Sequence, residues 1–171
     1  MLGQVCIGGF GVRSHLEYMY RLEAKIPPPV VMLVLGCITW LGVQYVPSLS
    51  FTFVGKNFAA LTLALAGLVL NLVPKLDFAR FGTTVNPLKP EASSHLITSG
   101  IYRYTRNPMY LGHAAILLGW VAYLGSAVGL VAVAAFVLYV SRFQIRPEER
   151  HLSTLFPEQY AAFARKTRRW L

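Results

Sequence analysis

The 171-residue sequence predicts an all-α integral-membrane protein with about four transmembrane helices, the last two a tight hairpin, followed by short cytosolic C-terminal helices. Three observations carry that reading. Hydrophobic residues make up 55% of the chain and charged residues 13%, against roughly half and a quarter in soluble domains. The apolar residues fall in uncharged blocks at 30–46 ("VVMLVLGCITWLGVQYV") and 57–73 ("NFAALTLALAGLVLNLV"), and in a run at 109–140 where only His113 could carry a charge. Lysine and arginine gather before the first block, between the second and third, and after the last, which places both termini and the long middle loop in the cytosol.

The elements follow in order. Residues 1–29 form an N-terminal interfacial segment, with Leu16, Met19 and Tyr20 on one face of a short helix and "IPPP" at 26–29 as a stiff extended entry. The remaining 30–171 read as one membrane domain. About 20 residues of helix cross a hydrocarbon layer of about 30 Å, so 30–46 and 57–73 are single spans, the second stopping near Pro74. The 109–140 run is too long for one crossing. A glycine-serine break at "LGSAVG", 124–129, divides it into spans 108–124 and 127–143, with Pro108 as the first helical residue. The loop between Pro74 and Pro108 reads as irregular and, given its aromatics, functional. C-terminal helices cover 147–168: Pro147, Glu148 and Glu149 form a first turn, Leu152, Leu155 and Phe156 an apolar face, and Pro157 opens a second helix. The ending "RKTRRWL" is expected to lie on the membrane with Trp170 at the interface.

Composition excludes several classes. Cys6 and Cys37 form neither a disulfide framework nor a Cys-x-x-Cys motif, and His15, His95, His113 and His151 lack ligand spacing, so no metal is expected. The net charge of +9 lines one membrane face and points to the lipid bilayer as partner rather than nucleic acid. No cationic region precedes an apolar stretch at the start, so no cleaved signal peptide is expected. The oligomeric state is not readable.

Chemistry concentrates in "GIYRYTRNPMYLG", 100–112, directly before the third span, and in the tandem Glu148 and Glu149 directly after the fourth, with Tyr160 and the basic tail as a third polar group on the same cytosolic side. Singly, Arg103 and Arg106 are span anchors, Tyr102, Tyr104 and Tyr110 belt aromatics, and the glutamates helix-dipole partners. A hairpin brings both clusters to one end, making a pocket of arginines, rings and carboxylates. Such a pocket suits a ligand with a carboxylate, a cation and a flat ring, as in S-adenosylmethionine and in part other nucleotides.

"HLITSGIYRYTRNPMYLG", the glycine-broken hairpin and "RPEERHLSTLFPEQYAAFARKTRR" together resemble the isoprenylcysteine carboxyl methyltransferase and phospholipid methyltransferase superfamily, with "TTVNP" at 83–87 extending the likeness. The resemblance implies a membrane enzyme using S-adenosyl-L-methionine, with a lipophilic acceptor entering laterally: an isoprenylcysteine carboxylate, a phospholipid amine or a small thiol. It assigns Leu96, Gly100, Tyr102, Arg103, Arg106, Asn107, Pro108, Tyr110, Glu148, Glu149 and Tyr160 to the cofactor, and Arg106, Asn107 and Tyr110 to catalysis. Glu148 and Glu149 match the pair that holds the methionine end, while Leu155, Phe156 and Tyr160 match the helix that closes over it. Many relatives carry histidine where this chain has Asn107, which can position groups but cannot shuttle a proton. Two rival readings are an NADPH-dependent membrane reductase of the sterol reductase type and a non-catalytic membrane scaffold or transporter component.

Overall fold

The computed structural model describes residues 23, 25–80 and 96–171, with 78 and 80 by backbone alone. Within them the chain is helical, and its sole extended pairing is an isolated bridge between Ser50 and Ser126. Helix α1 spans Pro28–Tyr45, α2 Lys56–Arg80, α3 Pro108–Leu124 and α4 Ala127–Val140. A π-helical segment, Ser141–Ile145, carries α4 without interruption into α5 (Arg146–Leu155), and α6 follows at Pro157–Lys166. Pro28–Tyr45, Lys56–Asp77 and Ala127–Leu155 are long and apolar enough to cross a membrane, while α3 is apolar but only 17 residues long. Large apolar side chains such as Leu33, Phe58, Leu61 and Leu65 face outward, where lipid rather than water would solvate them. The protein is an all-α integral-membrane protein.

Three expectations need correction. "IPPP" is not an extended entry throughout: Pro28 and Pro29 open α1, because the first helical turn needs no partners for its amide hydrogens. Helix α2 does not stop near Pro74 but runs through it to Arg80, with Pro74 buried. A proline inside a membrane helix is tolerated when packed neighbours hold the helix together across the lost hydrogen bond. The fourth helix does not stop at 143, since one continuous helix leads from Ala127 to Leu155 through the wider π turn. The interfacial helix expected before residue 23 and the "TTVNP" stretch lie outside the described residues.

The hairpin of α3 and α4 turns on Gly125, which closes α3 at φ +64, a left-handed conformation. A Cβ there would collide with the Phe51 carbonyl oxygen, and the Gly125 carbonyl accepts from the Phe51 amide at 2.7 Å. The most extensive helix contact is α2 against α3. There Gly67 and Gly112 meet backbone to backbone, and a Cβ on Gly119 would lie 2.9 Å from the Ala60 carbonyl oxygen. Small residues at such a crossing let helices approach closely, which drives association where lipid removes the hydrophobic contrast. Asn71, buried beside Gly112, keeps its amide satisfied by donating to the Gly67 carbonyl at 2.8 Å. Gly119 and Gly129 are thus used within the chain, Gly129 against Val121 and Thr39.

Gly112→Val forces a branched side chain into Asn71 and the Gly67 backbone, an overpacking cost of about 1–3 kcal/mol. Thermal unfolding in detergent should show a lower midpoint for Gly112→Val than for Gly36→Val, whose Cβ has ordinary contacts starting at 3.7 Å. Equal midpoints would mean the crossing tolerates separation.

Candidate functional site

The site is assembled at the end of the hairpin where α3 begins and α4 gives way to α5. Its first wall is the 3₁₀ turn Gly100–Arg103, entered through Gly100 at φ +61. The turn buries Tyr102 against Ile97, Tyr160 and Phe163, so the underside of α6 and the turn share one apolar layer. Next come Thr105, Arg106 and Asn107, polar non-helical residues ahead of Pro108, which opens α3. Thr105 and Asn107 are buried.

The acidic couplet sits against this wall. Tyr110 donates its hydroxyl to Glu148 Oε2 at 3.1 Å. The Arg106 guanidinium lies 3.0 Å from Glu149 Oε1 and 5.9 Å from the centre of the Tyr160 ring. Arg169, from the segment after α6, completes the arrangement by gripping Glu149 with two hydrogen bonds, Nε to Oε1 at 3.1 Å and an Nη to Oε2 at 2.6 Å. Main-chain bonds fasten the same segment: the Arg168 carbonyl accepts from the Arg106 amide at 3.0 Å, and the Arg169 carbonyl from Asn107 Nδ2 at 2.9 Å and Thr105 Oγ1 at 3.3 Å. Trp170 packs beside the core and donates to Ser141 Oγ at 3.3 Å. The segment is therefore fastened to the protein, with the Thr105–Asn107 donors, Glu149 and Ser141 as its partners.

Burial shapes the electrostatics. The apolar part of the Ala127–Leu155 helix ends near Ile145, which leaves the couplet just beyond the crossing. Glu148 keeps some open surface, yet loss of hydration pushes its carboxyl up to about 7, Glu149 adding to the shift and the Tyr110 hydroxyl opposing it. Tyr160 is pushed up to about 12, by burial first and then by Glu149, against the pull of Arg106 and Arg169. Tyr102 is raised by burial, then by Glu148 and Asp77. One polar atom in the cluster is orphaned: Arg106 Nε is buried without a hydrogen-bond partner among the described residues.

Of the residues singled out in the sequence, Arg106, Asn107, Tyr110, Glu148, Glu149 and Tyr160 come together in this network, with Tyr102 beneath Tyr160 and Pro108 buried at the start of α3. Leu96 and Arg103 stand apart from the carboxylates. They line an open cavity of about 510 Å³ with Ser99, Gln159, Phe163 and Lys166, between the 3₁₀ turn and the outer face of α6. Phe156 joins the apolar layer under α6, whereas Leu155 is exposed. Sequence reasoning missed Thr105 and Arg169. A threonine two residues before Asn107 is a local hydrogen-bonding signal that could have been read. Arg169 belongs to the basic tail already grouped with Tyr160, but its pairing with Glu149 across 20 residues of chain had no local signal.

Residues 55–159, more than half of the chain, match the family described as phospholipid methyltransferase. The chain belongs to the phospholipid methyltransferase family. It is 27% identical over 111 residues to protein-S-isoprenylcysteine O-methyltransferase B of Arabidopsis thaliana, covering 65% of this chain and 56% of that protein. It is 35% identical over 108 residues to the cobalt-zinc-cadmium resistance protein CzcN of Cupriavidus metallidurans, covering 63% of this chain and 46% of that protein. An uncharacterized protein of Haemophilus influenzae is matched over its whole length, 40% identical over 63 residues, or 37% of this chain. The chain thus spans about half the length of the two named relatives, and no solved structure matches it. Within this phospholipid methyltransferase domain the match takes in the Gly100–Arg103 turn, Asn107, Tyr110 and both glutamates, but stops short of Tyr160 and Arg169.

Thr105→Val together with Asn107→Leu removes both side-chain donors to the Arg169 carbonyl, at about 1 kcal/mol each. Amide exchange in 167–171 should then quicken by about tenfold or more, read by mass spectrometry on protein in lipid discs. Unchanged protection would show that the ion pairs, the Arg106–Arg168 main-chain bond and the Trp170–Ser141 bond hold the segment without these donors.

Proposed function

We propose that the protein transfers a methyl group from S-adenosyl-L-methionine to a lipophilic acceptor held in the membrane. What supports it most is the joining of the Arg106–Tyr110 wall to Glu148 and Glu149 at one end of a helical hairpin, in a member of a methyltransferase family. The donor set fits the group. The glutamate couplet brings negative charge for an ammonium through Glu148, the Arg106 Nε has a hydrogen-bonding valence to give, and the Tyr102 and Tyr160 rings supply flat surface next to the carboxylates. Leu96 lines the open cavity beside the turn that Gly100 begins. Bound S-adenosylmethionine supplies an electrophilic methyl on a sulfonium, open to in-line displacement.

The protein's part is alignment and exclusion of water, which together can lower a barrier by about 7–11 kcal/mol at best. Arg106 and Tyr110 fix the glutamates, and Tyr160 covers Arg106. Asn107 takes no proton; its amide is committed to the Arg169 carbonyl, a positioning role. An acceptor that is already an anion, such as a carboxylate or thiolate, suits a site without a histidine base. The Arabidopsis relative's name specifies an isoprenylcysteine O-methyltransferase, which belongs to this class of acceptor.

Lateral entry is supported by an apolar groove of about 490 Å³ between α1 and α3, lined by Met32, Gly36, Trp40, Ile116, Leu117 and Trp120. Leu117 lies about 10 Å along α3 from Tyr110, within reach of an acyl or prenyl chain whose head is at the site. The concentration of lysine and arginine at this end favours a cytosolic site, where the cofactor is dissolved.

Calorimetry on purified protein with S-adenosylhomocysteine, and separately with NADPH, tests the reading. Binding of the first and none of the second is expected; the reverse would replace this reading with a reductase. Glu148→Gln should weaken binding of the cation-bearing ligand by about tenfold or more, since hydrogen bonds to charged groups contribute about 1.5–3 kcal/mol. Glu148 titrates near 7 and holds a cation only when ionised, so affinity should fall as pH drops through about 7, approaching tenfold per unit below it. In Glu148→Gln that slope should disappear; its persistence would put the titrating group elsewhere.

A further inference from the structure

We propose that the two glutamates have different jobs, with Glu148 alone receiving the cofactor's cation, Glu149 closing an ion-pair triad with Arg106 and Arg169, and Arg169 acting as a positioning residue that makes segment 167–171 a wall of the site. The proposal rests on the methyltransferase reading and deepens it.

The partners of each carboxylate carry the argument. Glu149 is already saturated with positive charge, since Arg106 reaches Oε1 at 3.0 Å while Arg169 bonds to both oxygens at 3.1 and 2.6 Å. A carboxylate between two guanidiniums has little left to offer an ammonium, and swapping either arginine for a ligand cation would strand a charge in a half-buried place. Among the described residues Glu148 has no ion pair, and its one hydrogen bond there comes from the neutral Tyr110 hydroxyl, through Oε2. Its second oxygen keeps its full acceptor capacity. Counting charge across the cluster, Arg106 and Arg169 offset both glutamates, so Glu148 draws a cation by local contact rather than by a net negative field.

The main chain explains why Arg169 rather than a cation from solvent fills this place. Its carbonyl is gripped by Thr105 and Asn107, its neighbour's carbonyl by the Arg106 amide, and Trp170 is anchored on Ser141 in the π segment. The side chain therefore needs little further ordering to reach Glu149, and the fork of its guanidinium matches both carboxylate oxygens at once. This places 167–171 across the gap between the start of α3 and the π segment that feeds α5. Glu149 then sets the rotation of the first turn of α5 and with it the direction in which Glu148 points.

The test uses full-length protein in lipid discs, with S-adenosylhomocysteine binding by calorimetry and amide exchange of 167–171 measured without ligand. Glu148→Gln should weaken binding at least tenfold while leaving the segment protected. Arg169→Gln and Glu149→Gln should each expose the segment and weaken binding by about three- to tenfold, and the double variant should be no worse than the weaker single. Arg169→Lys, which keeps the charge and loses the fork, should recover most of the affinity, and Arg165→Ala on the exposed face of α6 should behave as wild type. The proposal is overturned if Glu149→Gln matches the loss in Glu148→Gln with 167–171 still protected, if the two singles add in the double, or if Arg169→Lys binds no better than Arg169→Gln. Wild-type protein that fails to bind S-adenosylhomocysteine would instead remove the methyltransferase reading beneath it, a result visible before any variant is made.

Discussion

The polar end of this protein depends on one carboxylate held by two guanidiniums. Glu149 ties together α5, the residues that lead into α3, and the segment after α6. Half-buried ion pairs are costly to form, because each charge gives up water, and they persist only when geometry and extra hydrogen bonds compensate. Here compensation comes from a bidentate grip and from three main-chain bonds at Arg168 and Arg169. Without that closure the segment after α6 would lose its side-chain link to α5, and only its contacts with Thr105–Asn107 and Ser141 would hold it.

Beneath it lies a more rigid frame built by different physics. In a bilayer, apolar side chains gain little from meeting each other, so the α2–α3 crossing uses glycine to bring backbones together and Asn71 to keep a buried amide satisfied. The hairpin turn at Gly125 is pinned to Phe51, which fixes α3 and α4 side by side. The π segment then widens the helix at the point where it leaves the apolar layer. A π turn changes the face that later residues present, and such turns recur at functional sites. Its residues are tied down as well: Arg142 pairs with Glu23 at 3.0 Å, Arg150 pairs with the same carboxylate, and Gln144 donates to the Ile26 carbonyl at 2.9 Å.

These two layers divide the labour in the proposed reaction. The lipid-facing frame offers an apolar groove beside α1 and α3, where a hydrophobic chain can rest. The polar end offers charge and flat rings to a water-soluble cofactor. Tyr110 links them, since it stands on the first turn of the membrane helix and reaches Glu148 outside it.

The sequence by itself determined the helices, the hairpin and the two clusters, because uncharged blocks of a given length, a glycine-serine break and the position of tandem carboxylates are local facts of composition and order. It also pointed to a family, since the spacing of "GIYRYTRNPMY" and "RPEER" survives as text. Local rules misjudged Pro74 and the 26–29 prolines, where packing and helix-end geometry outweighed propensity. Only the tertiary structure decided which carboxylate faces which cation. Glu148 and Glu149 are adjacent letters of one type, and what separates them is the arrival of Arg169, 20 residues away, through main-chain bonds that any residue could make. Backbone carbonyls carry no mark in the sequence, so a contact that depends on them appears only when the chain is folded.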